Sequence, residues 1–85
     1  MLVEIYTKDN CGYCTAVKSL LEDNKISYKE YRLNADFTRE TVKEKYPSAA
    51  NYPVIVVDGY YIGGYNEIRP IVEEQKLTSQ KYLAG

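Results

Sequence analysis

Two cysteines, Cys11 and Cys14, stand three positions apart in the stretch Asn-Cys-Gly-Tyr-Cys-Thr, and the 85-residue chain has no others. Sulfurs at that spacing support three kinds of chemistry. A zinc site needs four ligands, and the pair supplies two. With no histidine and no third cysteine in the chain, carboxylates or a second chain would have to complete it. A purely structural disulfide across so short a loop constrains the unfolded chain very little. The third chemistry is thiol–disulfide exchange: one thiolate attacks a disulfide sulfur, a mixed disulfide forms, and the neighbouring thiol resolves it.

Exchange needs an acidified thiol, and the flanking sequence provides for one. The residues before Cys11 have strand character and those after it have helical character, so Cys11 falls at a helix start. Free N–H groups and the helix dipole favour an anion there. Its pKa should therefore fall below the ~8.5 of a free cysteine. Lys8 adds positive charge nearby. Cys14, one turn further in, should be more buried and less acidic. Cys11 is then the nucleophile and Cys14 the resolving thiol, with Gly12 giving the turn a tight shape. Placed on a strand–loop–helix at the front of a βαβ pattern, Cys-x-x-Cys becomes a redox motif.

Composition removes several other classes. The absence of histidine excludes Ser-His and Cys-His catalysis and every imidazole metal ligand. A formal net charge of -1 provides no basic excess for gripping nucleic acid. No run approaches the ~20 apolar residues that cross a bilayer. The front end lacks a basic region, an apolar core and a cleavage site, which points to the cytoplasm. The ten tyrosines mostly read as core and half-buried packing residues.

The elements that must hold the cysteines come from periodicity. Residues 2–7 alternate, with Leu2, then Val3, Ile5 and Thr7, on one face and Glu4 and Tyr6 on the other, and predict a strand. Ala16, Val17, Leu20 and Leu21 form a helical stripe that Asn24 ends in a left-handed cap. A second strand spans 26–33, with Ile26, Tyr28 and Tyr31 or Leu33 alternating. Asp36 or Thr38 caps a helix running to about Tyr46, with Phe37, Val42 and Tyr46 inward, and Pro47 stops it. Residues 53–58 are almost wholly apolar, as a strand covered on both faces would be. Asp58-Gly59 then signals a tight turn into an antiparallel partner. Asn66 caps a last helix with Ile68, Ile71 and Val72 inward and Pro70 in its first turn. Residues 77–85 receive no assignment. The order β-α-β-α-β-β-α predicts a small mixed α/β sheet with helices on both faces, in one domain over residues 1–85.

Three pieces of the chain, in order, resemble the glutaredoxins, of the small bacterial or phage type. Tyr-Thr-Lys-Asp-Asn-Cys-Gly-Tyr-Cys resembles the family's active-site entry, Asn-Tyr-Pro-Val-Ile-Val-Val-Asp-Gly its Thr-Val-Pro segment, and Tyr-Ile-Gly-Gly-Tyr-Asn-Glu its glycine pair and capped helix. The spacings between these pieces are similar too, and the likeness covers nearly the whole length. The resemblance implies a thioredoxin fold with a four-stranded sheet, a cis Pro53, and an enzyme: a glutathione-dependent thiol–disulfide oxidoreductase that reduces protein disulfides and glutathione mixed disulfides. It implies glutathione as co-substrate and disulfide-bearing proteins such as ribonucleotide reductase as clients, with the chain acting as a monomer. Cys11 matches the nucleophile and Cys14 the resolving cysteine. Tyr13 matches the aromatic wall beside glutathione, and Lys8 the base that steadies thiolate and ligand. Tyr52, before Pro53, matches the residue whose backbone pairs with the cysteinyl part. Gly64, Tyr65, Asn66 and Glu67 match the turn and helix start that hold the γ-glutamyl end. Physics supports the last group independently: a helix N-terminus offers N–H groups to a carboxylate, glycine permits close approach, and Glu67 can pair with the ligand's ammonium.

The chain departs from the family pattern at four places. Gly12 stands where proline is usual, as in monothiol relatives that share a [2Fe–2S] cluster between two chains and glutathione. Asn51-Tyr52 replaces Thr-Val. Asn66 replaces aspartate. Pro-Ser-Ala-Ala-Asn lacks the arginine that many relatives use for the glycine carboxylate of glutathione, which leaves Lys8 or Arg39 for that task. Two alternatives accompany the main expectation: a thioredoxin-like reductant fed by thioredoxin reductase, and a dimer carrying a [2Fe–2S] cluster. Tyr13 and the Gly63-Gly64 pair speak against the thioredoxin-like one.

Overall fold

The computed structural model describes residues 2–84, with side chains described through residue 74. Strand β1 (Val3–Thr7) is central. It pairs in parallel with β2 (Tyr28–Arg32) on one side and antiparallel with β3 (Val54–Val57) on the other. Strand β4 (Tyr60–Gly63) runs antiparallel to β3, giving the order β2-β1-β3-β4. Three helices complete the fold: α1 (Gly12–Asp23), α2 (Arg39–Lys45) and α3 (Tyr65–Ala84).

Alternation in β1 splits the core in two. Val3 and Ile5 point to one face, where they meet Ile55, Val17 and Leu21 of α1, and Ile68 and Val72 of α3. Tyr6 points to the other and meets Val54, Val56 and Val42 of α2. Complete burial of side chains such as Ile5, Leu21, Ile55 and Ile68 stabilises the fold by roughly 1.5–3 kcal/mol each before entropy is counted. On the α2 face the tyrosines pack as expected. Tyr6 stacks on Tyr31 at 4.9 Å and meets Phe37 edge-on at 5.1 Å. Burial, together with the neighbouring Tyr46 and Glu4, pushes the Tyr6 phenol up to about 12.

Helix ends show where local sequence signals were outweighed. Thr38, not Asp36, caps α2, in a reciprocal box with Thr41; the Asp36 carboxylate instead accepts from the Arg32 N–H at 2.8 Å. After α1 the left-handed residue is Lys25 (φ 57), while Asn24 keeps φ -99 and donates its side-chain amide to the Leu20 carbonyl at 2.8 Å. Helix α3 begins at Tyr65, so Gly64 occupies the cap position in place of Asn66, and its carbonyl accepts from Glu67 and Ile68. Pro70 therefore lies in the second turn, where it removes the donor that would have reached the Asn66 carbonyl. Ile71 is exposed, because α3 meets the sheet through Ile68 and Val72. The helix continues through residues that received no assignment, as far as Ala84.

The hairpin from β3 to β4 aims α3. Asp58 (φ 52) and Gly59 (φ 86) form the expected tight turn. Val56 then pairs with Tyr61 but Ile55 with Gly63, so β4 carries a bulge. Gly63 leaves it at φ 128, a conformation open essentially to glycine alone.

Candidate active site

Cys11 is the N-cap of α1, reached from β1 through Asn10, whose φ of 55 turns the chain into the helix. The cap geometry matters chemically. The Cys14 N–H donates to the Cys11 sulfur at 3.1 Å, and the same donor would stabilise a thiolate there. Cys11 and Cys14 are joined in a disulfide, the oxidised state of an exchanging pair. Cys11 is half-buried and reachable, whereas Cys14 is only 3 % exposed. This is the asymmetry a nucleophile and a resolving thiol require. Across the loop, the Tyr52–Pro53 peptide is cis, and the Tyr52 carbonyl oxygen lies 3.8 Å from the Cys11 sulfur.

Beside Cys11 opens a groove of about 540 Å³. Tyr13, Tyr52, Pro53, Gly64, Tyr65, Asn66 and Glu67 all line it. Three separate segments therefore converge on one groove. Tyr13 and Tyr65 face one another with ring centroids 5.7 Å apart, forming one wall. Lys8 does not line the groove. Its ammonium lies 5.9 Å from the Tyr52 ring centroid, and the Arg39 guanidinium lies 5.3 Å from the same ring. The two cations named for the missing arginine's task thus both approach one aromatic side chain. Tyr61, Asn51 and Ser48 also contribute to the lining. Tyr61 was missed because its strand alternation points it toward α2, with only its position two residues before Gly63 as a signal.

Glu67 already has a partner. Its Oε1 accepts from the Gly64 N–H at 2.7 Å, folding the side chain back over the glycine pair. A Cβ on Gly63 would lie 2.6 Å from the Glu67 Cγ. Gly63 therefore serves both an unusual backbone angle and a close side-chain approach.

A second cleft, of about 450 Å³, is lined by Cys11 and Cys14 themselves together with Lys8, Thr7, Lys18 and Glu30. The buried Thr7 hydroxyl donates to Glu30 Oε2 at 2.6 Å, and Lys18 Nζ donates to the same oxygen at 3.3 Å. Burial alone would push the Glu30 carboxyl up. The Thr7 and Lys18 hydrogen bonds and the charges of Lys18 and Arg32 outweigh it and hold the group below the usual carboxylate range. The sequence signal for Glu30 was weak, because β2 alternates polar and aromatic residues on both faces. Among the described residues no group of three or more His, Cys, Asp or Glu side chains is gathered to hold a metal ion. No described helix is long and apolar enough to cross a membrane.

A four-stranded mixed sheet with a Cys-x-x-Cys pair capping its first helix, set against a cis-proline loop, defines a thiol–disulfide oxidoreductase of the thioredoxin fold. The family model for glutaredoxin matches residues 3–62, and the chain belongs to the glutaredoxin family. It is 32% identical over 66 residues to glutaredoxin 3 of Escherichia coli K12, covering 78% of this chain and 80% of that protein. It is also 32% identical over 85 residues to glutaredoxin 1 of Rickettsia felis, covering 95% and 79%. Among solved structures, reduced Escherichia coli glutaredoxin superposes with a TM-score of 0.71 at 28% identity, over 87% of this chain and 95% of that one.

Proposed function

We propose that this oxidoreductase draws its electrons from glutathione and reduces both glutathione mixed disulfides and protein disulfides. The observation that carries this is the groove of about 540 Å³ beside Cys11, in which Tyr13, Tyr52, Pro53 and residues 64–67 meet. The cis-proline segment lies along one side and can pair with an extended cysteinyl backbone. The first turn of α3 lies at the far end, where a γ-glutamyl carboxylate would meet main-chain N–H groups. Glu67 offers its second carboxylate oxygen to the adjacent ammonium. Lys8 and Arg39, both near the Tyr52 ring, are the cations within reach of the glycine carboxylate.

The reaction follows from the exposure of the two sulfurs. The Cys11 thiolate attacks the glutathionyl sulfur of a mixed disulfide and expels the client's thiolate. A second glutathione thiolate then attacks the Cys11–glutathione disulfide, giving glutathione disulfide and regenerating Cys11. With a protein disulfide, Cys11 forms the mixed disulfide and the Cys14 thiolate attacks the Cys11 sulfur, releasing the reduced client. Two glutathiones then reduce the Cys11–Cys14 pair.

The test is NADPH consumption during reduction of a glutathionylated substrate, coupled once to glutathione with glutathione reductase and once to thioredoxin reductase. Turnover only with glutathione is expected. Turnover only with thioredoxin reductase would overturn the glutathione assignment and leave a thioredoxin-like donor.

A further inference from the structure

On the α2 side of Tyr52 lies a separate shallow groove of about 330 Å³. Its floor is apolar: Val42 and Val54 are buried beneath it, with Pro47 and the Tyr52 ring at its sides. Its rim is cationic. Arg39 and Lys43, one helical turn apart, both line it. Glu40 and Glu44 belong to the same helix but do not line the groove, and no carboxylate does. Among the described residues neither Arg39, Lys43 nor Lys8 takes part in an ion pair. Two cations without a carboxylate partner thus line one apolar depression in a chain whose net charge is -1, and Lys8 stands near the Tyr52 ring that borders it. The groove shares Ala50, Asn51 and Tyr52 with the site beside Cys11, so the two are continuous.

Glutathione has one carboxylate to offer near Tyr52, which accounts for Lys8 or Arg39 but not for Lys43 or the apolar floor. We propose that this groove docks a segment of the client protein: an apolar side chain seated over Val42 and Val54, flanked by acidic residues that face Arg39 and Lys43. The volume is at the low end of ligand-sized clefts, about 300–1,000 Å³, and suits one or two side chains. The Cys11 sulfur lies 3.8 Å from the Tyr52 carbonyl, and Arg39 lies 5.3 Å from that residue's ring. An extended segment rising about 3.3 Å per residue therefore places its acidic residues roughly three or four positions from the reactive cysteine. This rests on the proposed reduction of protein clients, because a docked segment is useful only where the substrate is a polypeptide.

The experiment uses fluorescein-labelled twelve-residue peptides with Leu, Glu and Asp placed three to five positions from a cysteine, and a matched set with Lys for Glu and Asp. Anisotropy with serine in place of the cysteine reads docking without chemistry. Turnover of the glutathionylated peptides, beside that of a small glutathione mixed disulfide, reads its effect on catalysis. The acidic peptide should bind at least tenfold tighter than the lysine peptide at 50 mM NaCl, with the difference shrinking at 300 mM. Lys43→Glu should weaken acidic-peptide binding and kcat/KM about five- to tenfold and leave the small mixed disulfide within twofold. Lys45→Glu makes the same charge change beside Tyr46, off the groove, and should cost no more than twofold. Equal binding of the two peptides, or equal losses in the Lys43 and Lys45 variants, would overturn the docking proposal. Failure of the wild type to turn over the small mixed disulfide would overturn the glutathione reading instead, and anisotropy would still decide the docking question.

Discussion

Replacing Gly63 by alanine should destabilise the protein strongly, through two separable causes. The first is the backbone: at φ 128 an alanine sits where essentially only glycine is at ease, a cost of about 1–3 kcal/mol. The second is contact. The new Cβ would lie 2.6 Å from the Glu67 Cγ, so that side chain must leave, and with it goes the 2.7 Å hydrogen bond from the Gly64 N–H. That bond is on the surface, and its loss costs about 1 kcal/mol. The sum is roughly 3 kcal/mol. At about 4–8 °C per kcal/mol for a domain of this size, Tm should fall by about 12–24 °C. Thermal unfolding followed by circular dichroism measures it. The double variant Gly63→Ala/Glu67→Ala separates the causes. Because both single changes forfeit the same hydrogen bond, their combined cost should fall short of the sum by about 1 kcal/mol. A Gly63→Ala variant within 0.5 kcal/mol of wild type would refute the backbone argument. Strictly additive costs would refute the role given to Glu67.

Cys11→Ser should abolish all thiol transfer, while Cys14→Ser should lose protein-disulfide reduction yet retain turnover of glutathione mixed disulfides, since glutathione can replace the internal thiol; activity surviving in Cys11→Ser would exclude the mechanism. Lys8→Gln and Arg39→Gln should each raise the KM for glutathione about three- to fivefold, as loss of one exposed charge pair would; initial rates at varied glutathione decide it. The depressed Glu30 carboxyl contributes stability that is complete above the ordinary carboxylate pKa and is lost as pH falls through its lower folded value. Glu30→Gln should therefore flatten the acid side of a plot of urea midpoint against pH, and an unchanged slope would show that Thr7 and Lys18 do not stabilise the carboxylate.

The sequence alone determined the element order, the two faces of β1 and the redox pair. These depend on short-range facts: alternation in residues 3–7, a helical stripe at Val17 and Leu21, and a Cys-x-x-Cys pair placed where strand gives way to helix. Resemblance to the glutaredoxins then carried the distant residues of the groove, which no local pattern joins. Local signals failed where two candidates competed for one role. Asn24 and Lys25 both stand at the end of α1, and the side-chain amide of Asn24 proved more useful on the Leu20 carbonyl than its tolerance of a positive φ. Asn66 is a good cap by type, but the bulge in β4 and the turn at Gly63 start α3 two residues earlier. Only the tertiary structure decided that Lys8 stands over Tyr52 outside the groove, that Arg39 joins it from another helix, and that Glu30 meets Thr7 and Lys18 behind Cys14. Each of these contacts joins side chains at least 12 residues apart in sequence. Their meeting is set by sheet order and helix placement, which depend on burial summed over the whole chain and not on the residues that meet.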